Sequence, residues 1–359
     1  MSSTAHHHQL TPPPNNNGGQ LLLQPPTKLL GCLRTVGRPT SKTDPLLVAA
    51  IFTADGPTIS RVDLKLLDVA SGETVARMDR QGNGHFGVTG GLLCVVGDAG
   101  TAAVSVLDPA TGDVTNIPAY ATGDMTSSAY VFGHVPAATG DHKVLRVFTA
   151  VYDGRTIRQP CEVLTVVSGD DGEQQRWRPA PSPPVPVDTL DPRHRAVTGG
   201  VAHFLVPQRA EYDVIVSFDL ATEQWRPSLL RCPLPKAKRH CHSSSLSLVE
   251  LNGCLAFVHP DYRAYAMDMW LLVDLEKGPA WVRVESLPLG KILRNKQEIM
   301  ARPLMVLEDG RIVFWVRAPY NVVRVYNPRT GECEETVDFG KLTSIVGLYR
   351  GDLLGLNQY

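Results

Sequence analysis

Short apolar stretches separated by tight turns follow one another along most of the chain. In five of them an apolar run ends at Asp or Asn, a short turn follows, and a second apolar run begins. In such turns Asp bonds its own backbone, Pro fixes φ and Gly supplies a positive φ, so each stretch predicts a β-hairpin. The five stretches are KLLDVASGETVARM (65–78), SVLDPATGDVTNIP (105–118), VSFDLATEQWRP (216–227), LLVDLEKGPAWVRV (271–284) and RVYNPRTGECEETV (324–337).

A second repeat, offset from the first, places a glycine turn before a half-buried strand. It occurs as GGLLCVV (90–96), GGVAHFLV (199–206), NGCLAFV (252–258) and DGRIVFWV (309–316). Asn-Gly and Asp-Gly are strong hairpin signals, and no stretch of helical length has a period of about 3.6 residues. Each repeating unit therefore contains four antiparallel strands.

Repetition of a four-stranded unit along a chain of 359 residues predicts an all-β fold, a β-propeller of four-stranded antiparallel blades. Six blades are favoured, and seven are the alternative. The N-terminal strands at 45–79 are expected to share the closing blade with C-terminal strands at 344–349 and 352–356. Residues 1–27 are low-complexity and predicted to be disordered, and residues 28–359 are predicted to form the single propeller domain.

The composition restricts the partners and the compartment. The net charge of −1 gives no general attraction to nucleic acid or anionic membranes. No apolar run has the length of a membrane span. The seven cysteines are scattered without paired spacing, which suits reduced thiols and predicts a cytoplasmic or nuclear location.

Several blocks resemble the plant F-box-associated domains. They are YVFGHVPAATGDHKVLRVF (130–148), CEVLTV (161–166) and MDMWLLVDLEKGPAWVRV (267–284), and their order is similar to that family along roughly 45–340. The resemblance implies a propeller-like receptor that holds substrates for a cullin-type ubiquitin ligase. Members of the family open with a helical F-box that grips the ligase adaptor. Residues 1–45 show no such helical pattern, so we expect the chain to lack a recognisable F-box and predict no defined docking to the ligase adaptor.

Candidate chemistry in the sequence favours no enzyme. GNGHFG (82–87) matches a dinucleotide motif formally, but a strand follows it where a helix is required. There is no nucleophile elbow, and Cys94 and Cys254 lie on apolar strands without a neighbouring base. Cys232 with the run 240–242 lacks the spacing of a zinc site. We therefore expect no catalytic residue, cofactor or metal. The alternative is a propeller enzyme of the glycan hydrolase or oxidase type, and a third reading is a receptor remnant or decoy without ligase docking.

Strand alternation predicts that the longest connections share one face of the propeller. These are 179–195, 231–244, 259–266, 286–298 and 317–321, and basic residues outnumber acidic ones in them. Long loops on a rigid scaffold often carry recognition, and Tyr with Arg is enriched at interface hot spots. The alternative is that these charges only solubilise the loops. We predict capture of an acidic protein segment, with nucleic acid and membrane not expected. The predicted binding residues are Arg193, Arg209, Lys238, Arg239, Tyr262, Arg263, Tyr265, Arg294, Arg317 and Tyr320.

Overall fold

The fold is described by a computed structural model. It describes residues 46–349 except 56–57, 70, 81–85, 90–91, 97–103, 110, 118–127, 137–140, 150, 153–156, 167–175, 207–213, 235–245, 274–279, 285, 318–319 and 341–342. The predicted tail at 1–27, the absence of an F-box pattern in 1–45 and the expected strand at 352–356 lie outside the described residues.

The strands form six four-stranded antiparallel blades, two of them extended by a fifth short strand. Blade 1 contains β28 (Thr343–Tyr349), β1 (Leu46–Asp55), β2 (Thr58–Asp68) and β3 (Thr74–Arg80). Blade 2 contains β4 (Phe86–Thr89), β5 (Leu92–Val96), β6 (Val104–Leu107) and β7 (Val114–Ile117). Blade 3 contains β8 (Ser128–His134), β9 (His142–Phe148), β12 (Cys161–Val166) and β13 (Arg178–Ala180), with a small hairpin of β10 (Val151–Tyr152) and β11 (Ile157–Arg158).

The remaining three blades follow in chain order. Blade 4 contains β14 (Arg195–Thr198), β15 (Val201–Leu205), β16 (Val214–Asp219), β17 (Gln224–Trp225) and β18 (Leu230–Arg231). Blade 5 contains β19 (Ser247–Leu251), β20 (Cys254–Asp261), β21 (Ala266–Val273), β22 (Ala280–Arg283) and β23 (Leu287–Pro288). Blade 6 contains β24 (Met300–Val306), β25 (Ile312–Arg317), β26 (Val322–Asn327) and β27 (Glu332–Asp338). A 3₁₀ turn (Pro192–His194) precedes β14, and a one-turn helix, α1 (Leu289–Ile292), follows β23.

Blade 1 joins the two ends of the propeller. The C-terminal strand β28 pairs with β1 from Phe52↔Thr343 to Leu46↔Tyr349, which places β28 innermost in a blade whose other strands are N-terminal. The innermost strands β28, β4, β8, β14, β19 and β24 contact one another in a closed ring. The predicted sharing of a blade between the ends is confirmed, and the blade number is six rather than seven.

Apolar side chains fill each of the spaces between neighbouring blades. On β1, Leu47, Ala49 and Ile51 pack against blade 6, whereas the alternate residues Val48 and Ala50 pack against blade 2. Both faces of β1 are therefore buried, which explains its consecutive apolar residues from Leu46 to Phe52. The six clusters, one for each interface, make the core a continuous ring.

The repeated turns adopt one geometry. The amides of Gly72, Gly112 and Gly331 donate to the carbonyl oxygens of Asp68, Asp108 and Asn327 over 2.8–2.9 Å, and each glycine has φ between 71° and 77°. That positive φ explains the glycine in the repeat. In Asn252-Gly253 both residues have positive φ, as a two-residue hairpin turn requires.

Candidate functional site

The longer connections lie together on one face of the propeller. Since strands alternate in direction, the loops between second and third strands share a face with the links between blades. We call this the long-loop face; its described segments in blades 4–6 are 181–194, 262–265, 289–299 and 320–321. The glycine turns and the Asp or Asn turns lie on the opposite face, the turn face. The long links 181–194 and 289–299 lie on the long-loop face as predicted, but the connection between β12 and β13 on the turn face is longer than 262–265.

Exposed large apolar side chains concentrate on the long-loop face. Leu190 is 74% exposed and Ile299 is 63% exposed. Tyr262, Tyr265 and Tyr320 are also exposed on this face. Among the other described residues only Val75 and Leu229 are comparably exposed, and they lie on other parts of the surface. A cluster of exposed apolar groups on irregular loops is typical of an interaction site.

Hydrogen bonds hold the segments 262–265 and 289–299 in fixed relation to each other and to the end of β25. The Tyr262 hydroxyl donates to the carbonyl oxygen of Ile299 over 2.7 Å. The amide of Leu289 donates to the carbonyl oxygen of Tyr265 (2.8 Å), and the amide of Ile299 donates to that of Arg317 (3.1 Å). The connections of blades 5 and 6 therefore form one continuous surface with a defined arrangement of side chains.

Tyr265 occupies a strained backbone conformation at the tip of the blade 5 loop. Its φ of 49° lies in the left-handed region, which bulky side chains rarely adopt. Such strain costs of the order of 1–3 kcal/mol and concentrates at functional positions. The strain presents an aromatic ring that is 55% exposed to solvent.

The described carboxylates of the long-loop face are already engaged within the chain. Asp261 accepts the amides of its own turn, from Arg263 (3.1 Å) and Ala264 (3.0 Å). Asp191 binds the Arg193 guanidinium through both of its oxygens. These carboxylates bind local groups and, among the described residues, form no ion pair with the more exposed cations of this face.

Four exposed cations on this face make no ion pair with any described residue. They are Arg263, Lys291, Lys296 and Arg317. Because the nearby carboxylates have other partners, the face presents positive charge around its apolar side chains. Long-range attraction of this kind accelerates encounter with an acidic partner.

Internal contacts also fix the two links that carry the apolar side chains. Gln159, which is 3% exposed, donates to the carbonyl oxygen of Val187 (3.0 Å) and accepts its amide (2.8 Å). The indole of Trp225 donates to the carbonyl oxygen of Pro181 over 2.7 Å. The link 181–194 is therefore anchored to blades 3 and 4 by buried or partly buried groups.

The link 289–299 is held by a buried arginine. Arg324 on β26 donates to both oxygens of Glu298 at 2.7 Å, to Glu335 at 3.1 Å and to the carbonyl oxygen of Ile292 at 2.7 Å. Burial alone would raise the pKa of Glu298, but the hydrogen bonds and charge of Arg324 hold that pKa below its usual value. The carboxylate is therefore ionised at neutral pH and fixes the link beneath Ile299.

Five of the ten predicted binding residues are exposed on the long-loop face. They are Tyr262, Tyr265, Tyr320, Arg263 and Arg317, of which the two arginines make no ion pair with a described carboxylate. Arg193 binds Asp191, and Arg294 binds Glu335, so both serve contacts within the chain. Arg209, Lys238 and Arg239 lie outside the described residues. All ten binding assignments stay predictions.

Leu190 and Ile299 are members of the surface that were not predicted. Each is a single apolar residue within a polar link, in TLDPRH (189–194) and NKQEIM (295–300). An isolated apolar residue in a charged loop was the signal that could have identified them. Exposure alone distinguishes such residues from the apolar residues that enter the core.

The described residues contain no group of three or more His, Cys, Asp or Glu side chains placed to hold a metal ion. Cys232 is buried, and the run 240–242 near it in the sequence lies outside the described residues. Among the helices that the structure describes, none is long and apolar enough to cross a membrane. Burial raises the pKa of the Cys94 thiol to about 12, which makes it a poor nucleophile.

A family model described as the F-box associated beta propeller domain matches residues 69–338 of the chain. The chain belongs to this family. The match covers the described segments of the long-loop face in blades 4–6, so the candidate site lies within the F-box associated domain itself. No curated protein is significantly similar to the chain.

Solved structures resemble this F-box associated propeller only distantly. A protein of unknown function from Bacteroides caccae is 12% identical, with a TM-score of 0.47, over 86% of this chain and 100% of that one. The dihydro-heme d1 dehydrogenase NirN is 12% identical, with a TM-score of 0.38, over 88% and 77% of the two chains. A Synechocystis apocarotenoid oxygenase mutant is 11% identical, with a TM-score of 0.38, over 69% and 63%.

Proposed function

We propose that this F-box associated propeller is a non-enzymatic protein-recognition module that captures a partner on the long-loop face. The observation that carries the proposal is the cluster of exposed Leu190, Tyr262, Tyr265, Ile299 and Tyr320 on that face. Aromatic and aliphatic anchors surrounded by a polar rim are the usual composition of a protein interface. Family membership supports the same class of function.

The charge of the face favours an acidic segment of the partner. Arg263 and Arg317 are exposed and make no ion pair with a described carboxylate. Arg263 follows Tyr262 in the sequence, and Arg317 lies three residues before Tyr320. An acidic segment would find cations without first breaking an internal ion pair. Such complementarity contributes specificity and association rate more than affinity.

The family supports a more specific proposal, that this module is the substrate receptor of a cullin-type ubiquitin ligase in the cytoplasm or the nucleus. An F-box supplies the docking to the ligase adaptor in such receptors. The described cysteines are free thiols, which agrees with a reducing compartment. A free-standing binding module or decoy is the alternative if no ligase subunit associates with the chain.

Affinity purification of the full chain from cell extract, with quantitative mass spectrometry, tests the proposal. The test variant is the double charge reversal Arg263→Glu/Arg317→Glu. The matched control is Arg176→Glu/Arg329→Glu, which changes the same charge on the turn face, where both arginines are exposed. We expect a set of proteins that the wild type and the control retain and that the test variant loses, at least tenfold.

Three results of this experiment are informative. Equal capture by the test variant and the control would contradict recognition by the long-loop face. Recovery of the ligase adaptor and cullin with the wild type supports the receptor function, whereas their absence alongside specific capture supports the free-standing module.

A further inference from the structure

Two arginines occupy the innermost strands near the long-loop end of the central channel. Arg195 is the first residue of β14, and Arg302 is the third residue of β24. Both strands belong to the closed ring of innermost strands. Arg195 is 8% exposed, and Arg302 is partly buried.

Neither guanidinium has a counter-ion among the described residues. Arg195 donates only to the carbonyl oxygen of Thr189 (3.4 Å), and Arg302 donates only to that of Leu248 (3.5 Å). No described carboxylate lies within 4.0 Å of either side chain. A guanidinium carries five N–H donors, so most donors on both side chains have no acceptor. Arg324, by contrast, binds two carboxylates.

The nearest carboxylates are already bound to other groups. Asp191 binds Arg193 through both oxygens. Asp188 contacts Nδ1 of His194 over 2.7 Å and accepts the amide of Leu190 over 2.8 Å. Three guanidinium groups thus share this region with two carboxylates, and these attract Arg195 and Arg302 only from beyond ion-pair distance.

Arg302 lies close enough to Arg195 to disfavour its charge. Burial lowers the pKa of Arg195 to about 10. The charges of Asp188 and Asp191 oppose this effect, and the charge of Arg302 adds to it. Burial also lowers the pKa of Arg302 to about 10. Both remain charged at neutral pH, so the channel holds positive charge at a cost that a bound anion would relieve.

The contact of Arg302 with blade 5 locates the charge. Its side chain starts on β24 and reaches the carbonyl oxygen of Leu248 on β19, so it crosses from one innermost strand to the next at the channel wall. The 3₁₀ turn Pro192–His194 contacts β19 on the same side. The site is therefore bordered by blades 4, 5 and 6.

We propose that Arg195 and Arg302 form an oxyanion site at the long-loop mouth of the channel, which takes one phosphate or carboxylate group. Guanidinium groups match these groups in shape and charge, and binding inside a channel of low dielectric strengthens the ion pair. A free phosphate ion and the carboxylate of an acidic side chain are both oxyanions, so the site could bind either of them. The proposal therefore does not depend on the identity of a protein partner.

Isothermal titration calorimetry of the full chain with inorganic phosphate, in buffer free of other oxyanions, tests the site. The variants are Arg302→Gln and Arg195→Gln, with Arg231→Gln as the control, since Arg231 is exposed at the edge of blade 4. We expect one phosphate per wild-type chain, an affinity reduced at least tenfold in each channel variant, and no change in the control. Arg302→Lys keeps the charge without the planar fork and is expected to have an intermediate affinity.

Thermal unfolding provides a second readout that does not depend on the heat of binding. Phosphate is expected to raise the Tm of the wild type and of Arg231→Gln but not that of Arg302→Gln. Removing an uncompensated charge should also leave the Tm of Arg302→Gln without phosphate equal to or above that of the wild type.

A second ligand, a hexaglutamate peptide, distinguishes the two sources of the anion. Binding of phosphate without binding of the peptide assigns the site to a free phosphate-type ligand. If the peptide binds and phosphate displaces it competitively, the site is assigned to a carboxylate of a polypeptide. Absence of binding by both probes, or equal binding by Arg302→Gln and the wild type, would overturn the proposal.

Discussion

Arg324 joins the link 289–299 to blade 6, and its replacement gives the most quantitative prediction. In Arg324→Met the carboxylate of Glu298, whose side chain is 7% exposed, loses its bidentate partner. Glu335 loses a contact too, but its side chain is 28% exposed and keeps Arg294 over 3.3 Å. The main cost is therefore one buried charge that loses its ion pair and keeps only hydrogen bonds from the Arg294 amide (2.7 Å) and the Asn295 side chain (3.3 Å).

The magnitude follows from that asymmetry. Removal of one partner of a buried ion pair costs about 3–5 kcal/mol, whereas an exposed pair contributes about 0–1 kcal/mol. We expect Arg324→Met to lower the free energy of unfolding by about 3–5 kcal/mol. The matched control Arg311→Met removes an exposed pair with Asp309 on the turn face and is expected to cost about 1 kcal/mol or less.

Urea unfolding followed by tryptophan fluorescence measures both changes. The double variant Arg324→Met/Glu298→Leu leaves neither charge of the pair buried, so we expect it to be more stable than Arg324→Met alone. The contribution of Glu298 is present above pH 4.5, its unfolded pKa, and is lost as pH falls through its lower folded pKa. If Arg324→Met lowers the free energy of unfolding no more than Arg311→Met does, the buried Arg324–Glu298 pair contributes no more than an exposed pair, contrary to this prediction.

Three further predictions concern single positions. Gly200 and Gly112 both have φ of 77°, but a Cβ on Gly200 would lie 2.8 Å from Pro136, whereas a Cβ on Gly112 would meet nothing within 4 Å. Thermal unfolding should therefore show a larger loss of stability for Gly200→Ala than for Gly112→Ala. Burial lowers the pKa of His203 from 6.5 to about 3, so its contribution to stability is complete above pH 6.5 and falls by about 1.4 kcal/mol per pH unit towards pH 3. Between pH 6.5 and 5 the free energy of unfolding should therefore depend less on pH in His203→Gln than in the wild type. Equal pH dependence of the two proteins would contradict this prediction. Tyr265→Gly relieves the left-handed strain, so its free energy of unfolding should stay within about 1 kcal/mol of the wild type while partner capture falls, and unchanged capture would exclude Tyr265 from the site.

The blade architecture could be predicted because turn chemistry is local. Asp68 and Asn327 each start a turn that ends at a glycine of positive φ, and the same few residues specify that geometry wherever they recur. The turn at 219–223 departs from this pattern because it has no glycine. Glu223 takes the glycine position with φ of 57°, and its carboxylate compensates by binding Lys143 (2.8 Å) and Arg178 (2.6 Å) of blade 3.

The candidate site could be predicted only in part, because charge pairing depends on residues distant in sequence. Arg294 was predicted to bind a partner, but it contacts Glu335, which lies 41 residues away in the chain. Arg302 on blade 6 contacts Leu248, which lies 54 residues away in the sequence, on the neighbouring blade 5. Which cations stay free is decided by such contacts, and no local pattern records them.

Hydrogen–deuterium exchange of the full chain, measured alone and in complex with a partner, determines whether the long-loop face is the recognition surface. The partner is a protein that the wild type captures and that Arg263→Glu/Arg317→Glu does not. If the long-loop face is the recognition surface, protection on binding should concentrate in 181–194, 262–265, 289–299 and 320–321. The turns at 68–72, 108–112 and 327–331 on the turn face should exchange equally in both states. Protection confined to the turn face would contradict the account.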